Sequence, residues 1–146
     1  VAVMSGLADI PVEVINSKAA TAEPSAKVMA ILQELETMLK QLIDTGEHNG
    51  IDIRSLPMMP GDYEQLKMIL GEGEVQATVN SLGPSRVIET QVPGIWWISH
   101  RNAHDEVLAE FIEVTPLPDI LKLQPGDLDE AIEILHTRVT GSKEDY

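Results

Sequence analysis

The hydrophobic period of this chain changes twice along its length, and that change constrains the fold more than any other feature. Val28, Ile31, Leu32, Leu35, Met38, Leu39 and Leu42 recur at helical spacing, with Glu34, Glu36 and Lys40 on the opposite face. This predicts an amphipathic helix that begins with Pro24 in its first turn and stops at Gly46. From Glu74 the period becomes two. Val75, Ala77 and Val79 alternate with polar residues, and Arg86–Val92, Ile95–His100 and Val107–Val114 continue as strands, separated by Gly83-Pro84, Pro93-Gly94 and a polar loop at Arg101–Glu106. Parallel strands need crossovers of about a dozen residues, which these connections cannot supply. The four strands are therefore read as an antiparallel meander. After Asp127 the helical period returns with Leu128, Ala131, Ile132, Leu135 and Val139.

Shorter signals fill the gaps. Asp62 and Gln65 make a start resembling a capping box for a short helix with Leu66, Ile69 and Leu70 on its buried stripe, ended by Gly71. The connector 46–61 is punctuated by glycine and proline, and Ile51 and Ile53 could add a short extended piece there. One helical turn is expected within Asp119–Leu123, and a short extended segment at Ile10–Val14. The fold class read from this is α+β: a four-stranded antiparallel meander with helices packed on one face, in the order α-α-β-β-β-β-α. A chain of 146 residues fits one domain. Residues 24–140 are assigned to that domain, 1–23 to a flexible or extended lead-in and 141–146 to a polar tail.

The chain has no cysteine, so disulfides, thiolate metal sites and cysteine nucleophiles are excluded. With 10 Lys+Arg against 24 Asp+Glu, its net charge is −14. Nucleic acid and anionic membrane surfaces are poor partners for such a chain, because both require a basic footprint. A cationic partner surface is favoured. No apolar run reaches the ~20 residues a bilayer span needs. Val1–Val14 lacks a basic n-region and contains Asp9 and Glu13, which argues against a secretory signal.

The third predicted strand concentrates the candidate contact residues. Alternation sends Trp96, Ile98 and His100 to one face and Ile95, Trp97 and Ser99 to the other. If helices cover one face, one tryptophan is core and the other lies on the open face or the edge, where it would serve as a binding anchor; the competing reading is that the N-terminal segment or a partner subunit covers that second ring. His100 and His104 are four apart, a metal-pair spacing only on a helix, whereas this segment reads as a hairpin loop. His48 and His136 are isolated. Glu74, Glu89, Glu110 and Glu113 fall on predicted strands, where a solvent-facing role is the ordinary one; Glu89 and Glu113 stand out for their apolar neighbours. Gly71-Glu72-Gly73 precedes a strand rather than a helix and is no phosphate loop. These patterns do not point to an enzyme.

Four blocks in order carry a family resemblance: Ile51-Asp-Ile-Arg-Ser-Leu-Pro57, Leu70-Gly-Glu-Gly-Glu-Val75, Glu89-Thr-Gln-Val-Pro-Gly-Ile-Trp-Trp97 through His100-Arg-Asn102, and Phe111-Ile-Glu-Val114. Together they resemble the HupH/HyaF (HoxQ-like) family of [NiFe]-hydrogenase expression and maturation accessory proteins. Typical members of that family contain two related copies of a helix–sheet unit, and this chain resembles the first.

The resemblance implies a cytoplasmic chaperone or scaffold without enzymatic activity, cofactor or metal. It also implies binding of the iron–sulfur small-subunit precursor before twin-arginine export, with another hydrogenase accessory protein as a possible partner. A single copy could also pair as a homodimer. Trp96, Trp97, His100, Arg101, Asn102, Glu89 and Glu113 are the expected partner-binding residues. The competing readings are a self-associating structural domain without a client and a metal-binding protein or enzyme using His100, His104 and the strand glutamates.

Overall fold

The computed structural model describes residues 23–141. The lead-in expected over 1–23 lies outside them except for Glu23, and the polar tail except for Gly141. The chain divides after Pro116 into two compact units.

The first unit opens with helix α1 (Ala26–Thr45). Pro24 lies just before the helix rather than in its first turn, and Ser25 is the cap: the Val28 amide donates to Ser25 Oγ at 3.2 Å. Such a cap satisfies an amide that the first helical turn leaves without a partner. Gly46 ends the helix in the left-handed region, with φ 74°, and its amide donates to the Leu42 carbonyl. The buried stripe is Val28, Ile31, Leu35 and Met38.

Helix α2 (Asp62–Leu70) is preceded by Gly61, which is also left-handed, with φ 90°. The expected Asp62/Gln65 capping box takes a different form. Asp62 Oδ1 accepts from Ser25 Oγ at 2.8 Å, and Asp62 Oδ2 accepts from the Met59 amide at 2.9 Å. The Ser25 amide donates to Gln65 Oε1 at 3.0 Å, and Gln65 Nε2 donates to the Glu23 carbonyl at 2.9 Å. The two residues tie the starts of both helices together.

Among the described residues the sheet has five strands rather than four: β1 (Asn49–Asp52), β2 (Gln76–Asn80), β3 (Pro84–Glu89), β4 (Ile95–Arg101) and β5 (Val107–Val114). All neighbours are antiparallel, in the order β1-β5-β4-β3-β2. The meander is therefore β2 to β5, as expected. β1 is the extended piece around Ile51, and it joins the far side of β5 with Ile51 opposite Ile112. β3 ends at Glu89, short of the predicted Val92. The Thr90 amide and Thr90 Oγ1 both donate to the Ile95 carbonyl at 2.9 Å, and the Ile95 amide donates to the Val92 carbonyl at 3.1 Å, so the chain turns at Thr90.

One sheet face packs on the helices. Ile95, Trp97, Ile112 and Val114 meet Val28, Ile31, Leu35, Leu66 and Leu70 in the core cluster. Each such fully buried side chain contributes about 1.5–3 kcal/mol of transfer free energy.

The second unit contains a 3₁₀ turn at Asp119–Leu121 and helix α3 (Asp127–Thr140). No residue of α3 is buried, and Leu128, Ile132, Leu135 and Val139 are exposed. Among the described residues, no helix is long and apolar enough to cross a membrane.

Candidate interaction site

The strand register arranges the predicted contact residues in rows. Glu89 lies opposite Trp96, and Trp96 opposite Glu113, so the three form one row across β3, β4 and β5. The next row on that face is Val87, Ile98 and Phe111, and the third is Ser85, His100 and Ala109. Four of the seven candidates, Glu89, Trp96, Glu113 and His100, thus share the face turned away from α1 and α2. Trp97 and Arg101 alternate to the helix side, and Asn102 lies in the β4–β5 loop.

Neither tryptophan is an open-face anchor; of the two readings, the covered second ring is the one observed. Trp96 is 3% exposed and Trp97 4%. Trp96 Nε1 donates to the Thr115 carbonyl at 2.9 Å. Trp97 Nε1 donates to Glu110 Oε2 at 2.8 Å, with the Tyr63 ring edge-on at 5.5 Å. A buried indole needs a partner for its N–H, and both rings have one. Alternation had assigned each ring to its correct face; it carries no information about what covers a face.

The remaining candidates are held by local contacts. Ser85 Oγ and His100 Nδ1 lie 2.8 Å apart, and the His100 ring meets Phe111 edge-on at 5.9 Å. Arg101 Nη1 donates to the Asp105 carbonyl at 3.0 Å. Asn102 Oδ1 accepts from the amides of His104 and Glu106 at 2.8 and 3.0 Å, which shapes the loop. His104 is exposed in that loop while His100 sits on β4, so the pair lacks the helical setting that its spacing would need as a metal pair. Among the described residues no group of three His, Cys, Asp or Glu could hold a metal ion. His48 Nδ1 lies 3.3 Å from Thr115 Oγ1, and His136 is exposed on α3.

The residue that sequence reasoning undervalued is Glu110. It is 6% exposed on the helix side of β5, where Oε2 accepts from both Tyr63 Oη, at 2.6 Å, and Trp97 Nε1. Burial first, then the hydrogen bond and charge of Glu110, push the Tyr63 hydroxyl well above the ordinary phenol range. Lys67 Nζ stands 5.0 Å from the Trp97 ring centroid and 5.4 Å from that of Tyr63. The signal was present: Glu110 is in phase with Ile112 and Val114, which are both core residues.

Chemically, the two buried carboxylates, Asp62 and Glu110, are each engaged by two donors. Both serve internal hydrogen bonds that tie elements of the first unit together.

Comparison with known proteins gives a consistent result. The sequence model for the C-terminal conserved region of the HupH hydrogenase expression protein matches residues 26–141. The four sequence blocks resembled the first of two copies; the matched model describes the C-terminal conserved region. The hydrogenase expression/formation protein HoxQ of Azotobacter vinelandii is 31% identical over 87 residues, covering 60% of this chain and 31% of that protein. HupH of Rhizobium leguminosarum bv. viciae is 30% identical over 93 residues, or 64% of this chain and 33% of that protein. The chain thus spans about a third of the length of these curated relatives. The solved structure of the hydrogenase expression protein HupH from Thiobacillus denitrificans ATCC 25259 is 39% identical with a TM-score of 0.75, covering 82% of this chain and 99% of that one.

Proposed function

The chain belongs to the HupH hydrogenase expression protein family, and on that footing we propose that it is a non-enzymatic accessory protein of [NiFe]-hydrogenase maturation. In this reading it acts in the cytoplasm as a chaperone or scaffold, holding the iron–sulfur small-subunit precursor before twin-arginine export. The observation that carries the reading is the family match over residues 26–141. Two physical features support it. The buried carboxylates are engaged in internal hydrogen bonds, which suits a scaffold. The net charge of −14 favours a client with a basic segment, such as a twin-arginine leader.

The test is affinity capture of the small-subunit precursor at low and moderate salt, with free large subunit as the control. Selective capture that weakens as salt rises is expected, because screening shortens the range of surface charge. Equal capture of both subunits, or none by folded protein, overturns the reading.

A further inference from the structure

Strand β2 forms one edge of the sheet: it pairs with β3, and among the described residues nothing pairs with its other side. The ladder shows which backbone groups this leaves. The Glu89 amide donates to the Val75 carbonyl at 2.9 Å, so by alternation Val75, Ala77 and Val79 turn their backbone groups inward to β3. Gln76, Thr78 and Asn80 turn theirs outward. Edge strands are normally shielded by charge, proline or a bulge. The segment Gln76–Asn80 has no charged residue and no proline, and its pairing with β3 is regular. The opposite edge is different. β1 is four residues long and passes at once into the 3₁₀ turn Ile53–Ser55, where Asp52 Oδ1 accepts from the Arg54 amide at 3.1 Å.

Charge indicates the occupant. Next to the start of β2, a cleft of about 480 Å³ carries Glu72, Glu74 and Glu89. Glu72 accepts from Gln76 Nε2 at 3.4 Å, and among the described residues none of the three forms an ion pair. Arg86 is the one Lys or Arg between residues 72 and 100. A strand added to β2 runs past Gln76 toward these carboxylates.

We propose that the free edge of β2 docks an extended peptide segment of a partner protein, with basic residues at the end that meets Glu72, Glu74 and Glu89. Backbone pairing supplies the affinity and the carboxylates set the direction. A second copy of this chain is the poorer occupant. Each copy carries a net charge of −14, and a five-residue edge offers far less than the ~1,200 Å² that stable interfaces bury. The inference does not depend on the client being a hydrogenase subunit.

The test uses the full chain, labelled for amide NMR, and a synthetic peptide of two lysines followed by alternating threonine and valine. In the free protein the outward amides of Gln76, Thr78 and Asn80 are expected to exchange quickly, and in the complex slowly. Replacing the lysines by glutamates, or making the triple variant E72Q/E74Q/E89Q, should weaken binding about three- to tenfold. Methylating alternate peptide amides should abolish binding in one of the two phases, with the protein unchanged. Thr78→Pro removes an outward amide while sparing the β3 ladder, and should abolish binding by a folded protein.

The proposal is overturned if shifts centre elsewhere, if both methylated peptides bind normally, if peptide charge has no effect, or if millimolar peptide does not bind. Slow exchange of the three amides in the free protein also overturns it, since this chain or a second copy would then already occupy the edge.

Discussion

Tyr63 Oη donates to Glu110 Oε2 at 2.6 Å, and that same oxygen takes the Trp97 indole N–H at 2.8 Å. One carboxylate on β5 thus joins helix α2 to the centre of the sheet. Tyr63→Phe removes one of its two donors. Hydrogen bonds to charged groups contribute about 1.5–3 kcal/mol, so a loss in that range is expected. Urea unfolding checks it: the midpoint should fall with the slope unchanged.

The same pair makes stability depend on alkaline pH. In the unfolded chain tyrosine ionises near pH 10. In the folded chain burial and Glu110 keep Tyr63 protonated above that value. The unfolded state therefore loses its proton first. The stabilisation is complete below about pH 10 and is lost as pH rises through the folded value. Denaturation followed from pH 8 to 11 in a Tyr146→Phe background should show this decline, and Tyr63→Phe should flatten it.

Both indoles are buried and hydrogen-bonded, so emission should be blue-shifted and iodide should quench it poorly until the protein unfolds. Trp97→Phe keeps a ring but removes the second donor to Glu110, at an expected cost of about 1–3 kcal/mol. A folded protein with iodide-accessible emission would contradict the burial of Trp96 and Trp97.

Ser25 caps α1 and donates to Asp62 at the start of α2. Ser25→Ala is expected to cost about 0.5–2 kcal/mol from the lost cap alone. A double-mutant cycle with Asp62→Ala should show coupling between the two positions, whereas strict additivity would mean that the helix starts are independent.

Gly83 is fixed by space. A Cβ there would clash with the Arg101 carbonyl oxygen and lie 2.7 Å from the Asn102 carbonyl carbon, both backbone atoms that cannot rotate away. Gly83→Ala should destabilise by about 1–3 kcal/mol as the β2–β3 connection and the β4–β5 loop move apart. Amide shifts should change at Ser81–Ser85 and Arg101–Asn102.

Much of this architecture was readable from spacing. The stripe Val28, Ile31, Leu35 and Met38 and the alternation of β2 to β5 are local patterns, and local patterns survive in a sequence. β1 is legible only as a short extended piece around Ile51, because four residues including a glycine become a sheet strand only by pairing with β5. Glu110 reads as an ordinary solvent-facing strand glutamate of an antiparallel sheet; its phase with Ile112 and Val114 is the better guide. The burial of Trp96 depends on what lies over a sheet face, a tertiary fact that alternation does not encode. β3 ends early because the Thr90 amide and hydroxyl both close onto the Ile95 carbonyl and the chain turns there.

The two edges of the sheet are unequal, and this has a consequence for assembly. β1 is brief and runs straight into a turn, while β2 is regular and, among the described residues, unshielded. Each molecule of this chain therefore offers a guest strand one edge. Pairing at β2 should yield complexes of fixed one-to-one stoichiometry rather than fibres, even at high protein concentration.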